Sequence, residues 1–420
     1  MDFPKNTAIE ACEQFIEKIN EDSGQVLQLP VDTASLAFGG LASAIQAANT
    51  WMRRSEKRDI LLRTSTKRDV LADINERPHK FAAAMCATYI ALDADPENNL
   101  RPKINLLAKE AIEQQGKSPF GLQRGGLCWF SFVDHSSKAF DRNFYIEKLG
   151  SNPQPRLPEQ ITAVIKSMID KSMAVTGGAN PLSGKALEYI GRIFFELFLN
   201  THEHGTRGIF RSEWLRPGMR IIYAQSVNLI EKASDKITMQ QPALHQYSES
   251  SKAQGMQSKK RFVEVGIVDS GLGYCGRWLA DQQKENSFSA LKIEDEYQIF
   301  KQCFQFRQTS TQNESKGNGL PVVMDRLTKL GGFIRIRSGR LAVYRNFIDS
   351  PYINNDSCSF FDWQSGKSCE SQITEMPSCA GVSITLLIEQ LAKTFPNQLI
   401  NCPLNTKLTT LQTKITHYLT

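Results

Sequence analysis

The segment from Arg261 to Asp269 constrains the fold most, because its residues alternate between two sides as they do in a β-strand with one buried face. One side carries Val263, Val265 and Ile267. The segment ends in Asp269-Ser-Gly271-Leu-Gly273, where Asp269 leaves the strand at a turn. The pattern therefore predicts a strand of a sheet that presents a carboxylate at its end.

Two interpretations of this turn stay open. The Asp269 carboxylate can accept a hydrogen bond from an exocyclic amine such as that of adenine. Gly271 and Gly273 would then let the backbone come close to the base. An Asx turn that closes a hairpin explains the same residues equally well.

The segment from Leu187 to Asn200 is predicted to be a helix with one buried face. Its apolar residues recur at helical spacing, namely Leu187, Ile190, Phe194, Leu197 and Phe198. Glu196 and Asn200 therefore share a face. Magnesium takes oxygen ligands, so Asn200 can supply one, and Glu196 can orient or deprotonate a water in line with a terminal phosphate. A partly exposed helix whose Glu and Asn face solvent is the alternative.

A third segment opens a helix after a polar run. Residues 307–316 have no apolar period and are expected to form a mobile loop that ends at Lys316. Gly317, Gly319 and Leu320 follow. Glycines at a helix N-terminus expose backbone N–H groups to an anion, and the helix dipole adds a partial positive charge. The segment thus predicts an anion site.

Two strands are predicted beyond this helix. The helix should end at Leu330, because Gly331 and Gly332 follow. The next strand is expected over 333–339. A later strand is expected over 381–388, with Ser383 near its start.

In their order and spacing these segments resemble the GHKL superfamily, which groups DNA gyrase B subunits, ninety-kilodalton heat-shock chaperones, histidine kinases and mismatch-repair MutL proteins. The resemblance covers about residues 158–390. It implies an α/β (α+β) fold, a two-layer sandwich of a mixed sheet with helices on one face. It also implies that this part of the chain binds ATP and Mg²⁺.

The resemblance implies roles for individual residues. In that family the Glu-x-x-x-Asn helix carries the general base and the magnesium ligand, which match Glu196 and Asn200. The Asp-x-Gly-x-Gly turn reads adenine. Its matches here are Asp269, Gly271 and Gly273.

The family's Gly-x-Gly-Leu turn holds phosphates beneath a flexible lid. Its matches are Gly317, Gly319 and Leu320, with the lid expected over 308–316. Gyrase-like, MutL-like and chaperone-like ATPases also have a second domain that lends a lysine to the terminal phosphate. Residues 391–420 are too few for such a domain. A cation is therefore expected from Lys316, from the N-terminal region or from another protein.

Two further matches are looser. A Gly-Thr-like strand start in the family matches Gly381 and Ser383, although another alignment puts Val382 at the threonine position. The run Asn-Thr-His-Glu-His-Gly resembles the continuation in anti-sigma-factor serine kinases, where the histidine sits near the phosphates. His204 is accordingly a candidate phosphate contact, and His202 is expected on the other side of the helix end. Histidines that simply favour the helix dipole are the alternative.

The length predicts two domains joined by a Pro-rich linker. Residues 1–150 are expected to form a separate N-terminal α/β domain of no recognised family, and 151–157 the linker. Residues 158–390 would form the GHKL-like domain and 391–420 a C-terminal tail. Within the first domain, strands are predicted at 26–29, 60–62 and 127–133, and helices at 41–53 and 81–92.

Composition favours a soluble globular protein of the cytoplasm. No apolar stretch approaches the roughly 18 residues of a membrane helix, and the nine scattered cysteines fit reduced thiols better than a zinc site. The net charge of +6 is mild, and short basic runs such as Arg53-Arg54 are expected to form solvated faces. Nucleic-acid binding therefore stays open without a motif that supports it.

The leading hypothesis is a Mg-ATP-dependent ATPase or conformational switch that acts with a protein partner or a second copy. An anti-sigma-type protein serine kinase and a nucleotide-binding module without turnover are the alternatives. A histidine autokinase is disfavoured, because residues 158–173 contain no histidine. The settings in which proteins with such folds occur favour a role in bacterial regulation or defence.

Overall fold

The fold is built on a large antiparallel sheet. The computed structural model describes residues 1–31, 38–64, 69–146, 153–176, 182–230, 241–253, 259–282, 291–305, 319–353 and 359–390. Helices and strands are both abundant there, and eight strands form one sheet with helices packed on it. The predicted α/β (α+β) sandwich class is confirmed.

The elements are numbered in chain order. The helices are α1 (Ile9–Glu21), α2 (Gly40–Arg54), α3 (Val70–Glu76), α4 (Pro78–Cys86), α5 (Arg101–Lys117), α6 (Pro158–Thr176), α7 (Gly184–Glu203), α8 (Pro242–Ala253), α9 (Gly273–Asp281), α10 (Ile293–Cys303) and α11 (Gly319–Leu330). The strands are β1 (Leu27–Leu29), β2 (Asp59–Leu62), β3 (Tyr89–Leu92), β4 (Leu122–Arg124), β5 (Leu127–Val133), β6 (Tyr145–Ile146), β7 (Gln154–Pro155), β8 (Met219–Ile230), β9 (Lys259–Asp269), β10 (Phe333–Gly339), β11 (Leu341–Asn346), β12 (Phe361–Asp362) and β13 (Cys379–Glu389).

The large sheet has the strand order β12-β11-β10-β13-β9-β8-β5-β4. Every neighbouring pair is antiparallel, so the sheet is not mixed as expected. Strand β9 lies inside it, where Ile267 is opposite Ile222 of β8 and Ile384 of β13. The alternation predicted for β9 is confirmed. Val263, Val265 and Ile267 enter one core, and Val268 enters the core on the opposite face.

One face of the sheet is covered by α6, α7, α10 and α11. Helix α7 begins after Ser183, whose side chain accepts a hydrogen bond from the Ala186 N–H at 3.1 Å. Helix α11 ends where predicted, at Leu330, and Gly331 follows with φ +55°. These two helices carry Glu196, Asn200 and Gly319 of the candidate site, and Asp269 lies at the end of β9.

The opposite face is covered by α1, α2 and α4, so helices lie on both faces of the sheet and not on one as expected. Helix α2 is buried from Gly40 to Met52. A helix that is buried all round belongs in the interior. Beyond it, β1, β2 and β3 form a small parallel sheet.

The expected separation into 1–150 and 158–390 does not appear in this arrangement. Strands β4 and β5 precede the expected linker, yet β5 pairs with β8 from Leu127 to Val133. Residues from Met1 to Gln390 form one compact unit. The tail expected at 391–420 lies outside the described residues.

Buried polar groups tie the N-terminal helices to the sheet. The Glu264 carboxylate of β9 accepts hydrogen bonds from the N–H groups of Phe38, at 2.6 Å, and Gly39, at 3.1 Å. Glu13 of α1 pairs with Arg337 of β10, at 3.0 Å between Oε1 and Nε. Because both ends of each contact are buried, neither partner can be replaced by water.

Most predicted elements are confirmed, and one expectation is wrong. The helix expected over 81–92 ends at Cys86, and β3 follows because Ile90 pairs in parallel with Ile60 of β2. The polar stretch after residue 240 contains α8. No helix among the described residues is both long and apolar enough to cross a membrane.

Replacing Glu13 with alanine should strongly destabilise the protein. The change leaves the Arg337 guanidinium, which is fully buried, without its carboxylate. Breaking a buried ion pair from one side costs about 3–5 kcal/mol. Urea denaturation of the full chain measures the loss in the free energy of unfolding.

The matched control is Glu17→Ala, which removes an exposed carboxylate from the same helix. It should change the free energy of unfolding by no more than about 0.5 kcal/mol. Equal losses in the two variants would contradict the importance assigned to the Glu13–Arg337 pair.

Candidate functional site

The Asp269 carboxylate is fixed at the end of β9. It is buried, and its Oδ1 accepts hydrogen bonds from the Gly271 N–H at 2.8 Å and the Val382 N–H at 3.3 Å. The backbone also joins the two turns, because the Gly381 N–H donates to the Gly271 carbonyl at 2.9 Å. Only Oδ1 accepts these bonds, so Oδ2 has no hydrogen-bond partner in the described part of the chain.

Glycines allow three parts of the chain to meet at Asp269. A Cβ built on Gly381, which has φ +67°, would lie 1.9 Å from the Asp269 carbonyl oxygen. A Cβ on Gly205, just after α7, would lie 2.7 Å from the Asp269 Cγ. A Cβ on Gly271 would lie 2.8 Å from the Gly205 Cα. Side chains at these positions would push the segments apart.

A second junction joins α7 to the start of α11. A Cβ built on Gly319 would lie 2.7 Å from the Glu196 Oε2, so the backbone of α11 rests directly on this carboxylate. The other oxygen of Glu196 forms an ion pair with Arg192, one turn earlier on α7. Leu320 is buried in the core beneath α7.

Burial raises the pKa of both carboxylates. The pKa of Asp269 rises to about 6, although the bonds from Gly271 and Val382 oppose the shift. Burial also raises the pKa of Glu196, and the Arg192 guanidinium counteracts part of that rise. A carboxylate with a raised pKa is a stronger base, which suits Glu196 to accepting a proton from water.

Asn200 lies one turn after Glu196 on α7, and its Nδ2 is buried without a hydrogen-bond partner in the described residues. A buried carboxamide whose nitrogen lacks a partner is available to a ligand. Its oxygen is the kind of ligand that Mg²⁺ accepts, and the neighbouring carboxylate adds negative charge. The unpaired atom is the amide nitrogen, however, and no group of three or more His, Cys, Asp or Glu side chains in the described part of the chain could hold a metal ion.

His204 ends α7, where its backbone N–H donates to the Asn200 carbonyl at 2.9 Å. Its Nδ1 lies 3.3 Å from Arg211 Nη2, and Arg211 is bound to Asp281. Burial, and then Arg211, lowers the pKa of His204 to about 4, so the ring is neutral near pH 7. His202 instead contacts the Tyr145 hydroxyl, at 3.1 Å from its Nδ1.

Ser383 lies on the other face of the sheet from these residues. Val382 and Ile384 pack in the core beneath α7, whereas Thr385 lies near Gly39 beside α2. Because side chains alternate along a strand, Ser383 shares the face of Thr385. Val382, and not Ser383, therefore contacts the Asp269 turn, because its N–H donates to the Asp269 carboxylate.

Of the remaining predicted residues, the structure describes Gly273 but not Lys316 or Gly317. Gly273 has φ +75° and packs its backbone against Ser338 of β10, at 2.8 Å from a built Cβ to Oγ. Lys316, Gly317 and the lid expected over 308–316 lie outside the described residues.

Arg53 was expected on a solvated face, and that expectation is wrong. Its Nε donates to the Ser270 carbonyl at 2.9 Å, directly beside Asp269. The Ser270 hydroxyl accepts from the Met219 N–H at 2.8 Å. Arg53 and Ser270 are 217 positions apart, and no local pattern predicts that such a pair meets.

Comparison of the chain with protein-family models, with curated proteins and with solved structures gives no match. Four features define the site. The Asp269 carboxylate is buried at a strand end, and glycines pack against it. The pKa of Glu196 is raised, and the Asn200 amide nitrogen has no partner in the described residues.

Replacing Gly381 with alanine should destabilise the turn that holds Asp269. The new methyl group would meet the Asp269 carbonyl oxygen in addition to adopting a left-handed conformation. The left-handed conformation alone lowers the free energy of unfolding by about 1–2 kcal/mol. The contact of the methyl group with the Asp269 carbonyl oxygen also forces the backbone to move. Urea denaturation measures the combined loss.

Gly125→Ala separates the two effects. Gly125 also has a positive φ, of +55°, but a Cβ there meets nothing within 4 Å. Its loss should therefore be clearly smaller than that of Gly381→Ala. Similar losses at both positions would mean that the contact with Asp269 does not constrain the site.

Proposed function

We propose that the chain binds Mg-ATP and acts as an ATPase of the GHKL type, or as a switch driven by the nucleotide. The observation that supports this most is the junction of Asp269 with the end of α7, the helix that bears Glu196 and Asn200. It brings a carboxylate suited to reading a base and a carboxylate suited to activating water onto one connected framework.

In this proposal Asp269 reads the base. Its Oδ1 is held by two backbone N–H groups, which leaves Oδ2 to accept a hydrogen bond from the exocyclic amine of adenine. The ionised carboxylate is the stronger acceptor. The glycines on both sides let the neighbouring backbone segments pack directly against this residue.

At the other junction Glu196 orients a water and accepts its proton. Asn200 would hold the magnesium ion through its carboxamide oxygen, and the ion, when bound, neutralises charge on the phosphates. Arg192 keeps part of the negative charge of Glu196 balanced in the absence of substrate. The N-terminus of α11 supplies backbone N–H groups and a partial positive charge for phosphate oxygens.

The contacts around the site favour transmission of its state to the N-terminal helices. Gly319 rests on Glu196, so a phosphate at this point would bear on the position of α11. Arg53 joins α2 to the turn beside Asp269. A protein partner or a second copy that contacts the N-terminal region would then respond to the nucleotide. The seven cysteines that the structure describes are free thiols, which supports a cytoplasmic setting.

Replacing Glu196 with alanine should lower ATP hydrolysis by about two orders of magnitude or more, because the group that activates water is lost. Binding of Mg-ATP should change little. Release of labelled phosphate from ATP measures turnover, and titration calorimetry measures binding.

Glu188→Ala is the matched control, since Glu188 is exposed on the same helix. It should leave both quantities unchanged. Unchanged turnover in Glu196→Ala would remove this residue from its proposed role. Label found on protein instead of in free phosphate would favour a serine kinase, and the absence of binding heat for any purine triphosphate with magnesium would end the proposal.

Replacing Asp269 with asparagine should weaken nucleotide binding by roughly 10- to 100-fold, because a charged acceptor is lost. In the wild-type protein the pKa of this carboxyl is about 6. Affinity should therefore fall as the pH decreases from 8 through 6, as the carboxylate takes up a proton. Calorimetry over this pH range measures both effects.

The asparagine variant has no titrating group at this position, so its affinity should lose that pH dependence. An equal affinity in the two proteins, or the same pH dependence in both, would contradict the base-reading role of Asp269.

A further inference from the structure

A solvent-open cavity of about 270 Å³ lies at the C-terminal end of α4. Three arginines and one histidine line it, namely Arg58, Arg101, Arg216 and His135. Arg58 directly precedes β2, and Arg101 begins α5. His135 follows β5, and Arg216 precedes β8. Four separate parts of the chain thus bring basic side chains to one space.

Part of each of two guanidinium groups is used to end α4. Arg58 Nε donates to the Cys86 carbonyl at 2.9 Å. Arg101 Nε donates to the Ala87 carbonyl at 2.9 Å, its Nη2 to the Met85 carbonyl at 2.8 Å, and its Nη1 to the Asn105 Oδ1 at 2.6 Å. Cations at a helix C-terminus are favourable, so these bonds explain why the arginines are held here.

The helix end does not use all of the available donors. Among the described residues, neither terminal nitrogen of Arg58 has a hydrogen-bond partner, and the side chain of Arg216 has none. The backbone of Gly218 lies 3.1 Å from Nδ1 of His135, which leaves Nε2. Donors without acceptors beside a cavity are the requirement for an anion site.

The charges around the cavity are predominantly positive. No carboxylate lines it in the described part of the chain. Asp134 is close by, but it is buried against Arg220, at 2.7 Å between Oδ1 and Nη2. Burial, followed by the positive charges of Arg101 and Lys109, lowers the pKa of the Lys138 ammonium. An anion would relieve this repulsion.

We propose that this cavity binds a phosphorylated small molecule through Arg58, Arg101, Arg216 and His135. A planar carboxylate is satisfied by one guanidinium fork, whereas the tetrahedral oxygens of a phosphate accept from several directions at once. The cavity corresponds to about nine water volumes of ~30 Å³ each, which is enough for a diphosphate group. The proposal does not depend on ATP binding near Asp269.

Titration calorimetry of the full chain with inorganic pyrophosphate tests this assignment. The titration is made with a chelator and without magnesium, so that a metal-dependent phosphate site does not contribute. Wild-type protein should bind pyrophosphate saturably and succinate much more weakly. No saturable heat with pyrophosphate, or equal affinity for succinate, would overturn the proposal.

Two variants locate the binding. Arg216→Gln and the double variant Arg58→Gln/Arg216→Gln should each weaken pyrophosphate binding by about tenfold or more. Arg216 is exposed, so its replacement does not disturb the interior, and thermal melts confirm folding of both proteins. Lys18→Gln removes the same charge from the exposed face of α1 and should have no effect.

The variants also separate this proposal from the nucleotide site. Unchanged pyrophosphate affinity in both arginine variants would show that the ligand binds elsewhere and would overturn the assignment. Loss of Mg-ATP binding in Asp269→Asn with pyrophosphate binding intact would support two distinct sites.

Discussion

Burial of both faces of the eight-stranded sheet is the constraint on which the rest of the structure depends. Alternating side chains of β9 enter two different cores, one beneath α7 and one beneath α2. Polar groups on the α2 face must then be satisfied inside the protein. Glu264 meets this need by accepting from Phe38, Gly39, the Tyr223 hydroxyl at 2.7 Å and the Gln225 amide at 3.1 Å.

The same burial sets the electrostatics of the candidate site. Removing a carboxylate from water raises its pKa, and the number of donors around it decides by how much. Asp269 has two backbone donors, and Glu196 has one arginine that is itself partly exposed. The pKa values of both carboxyls are thus raised above their ordinary values.

Strands with clear alternation could be predicted closely from the sequence. Residues 127–133 and 333–339 were expected as strands, and β5 and β10 have those bounds. Local patterns do not contain long-range pairing, so the sequence did not reveal that β5 belongs to the large sheet beside β8. The prediction of a helix through Ile90 was wrong for the same reason, because pairing with the parallel strand β2 makes this segment a strand.

The candidate site shows a similar limit. Glu196, Asn200 and Asp269 could be selected from spacing because each belongs to a short motif on one element. Arg53 could not be, because its partner Ser270 is brought close only by the packing of α2 on the sheet. The face on which Ser383 lies also follows from strand register and not from its position near a glycine.

The pairing of β5 with β8 has a consequence for how the chain can be divided. A fragment beginning at Pro158 would leave the backbone groups of β8 unpaired along an open edge and would uncover Ile221 and Tyr223, which are buried beneath the N-terminal helices. An exposed apolar edge strand recruits another chain. Truncation at the Pro-rich segment would therefore yield aggregates instead of an autonomously folded unit.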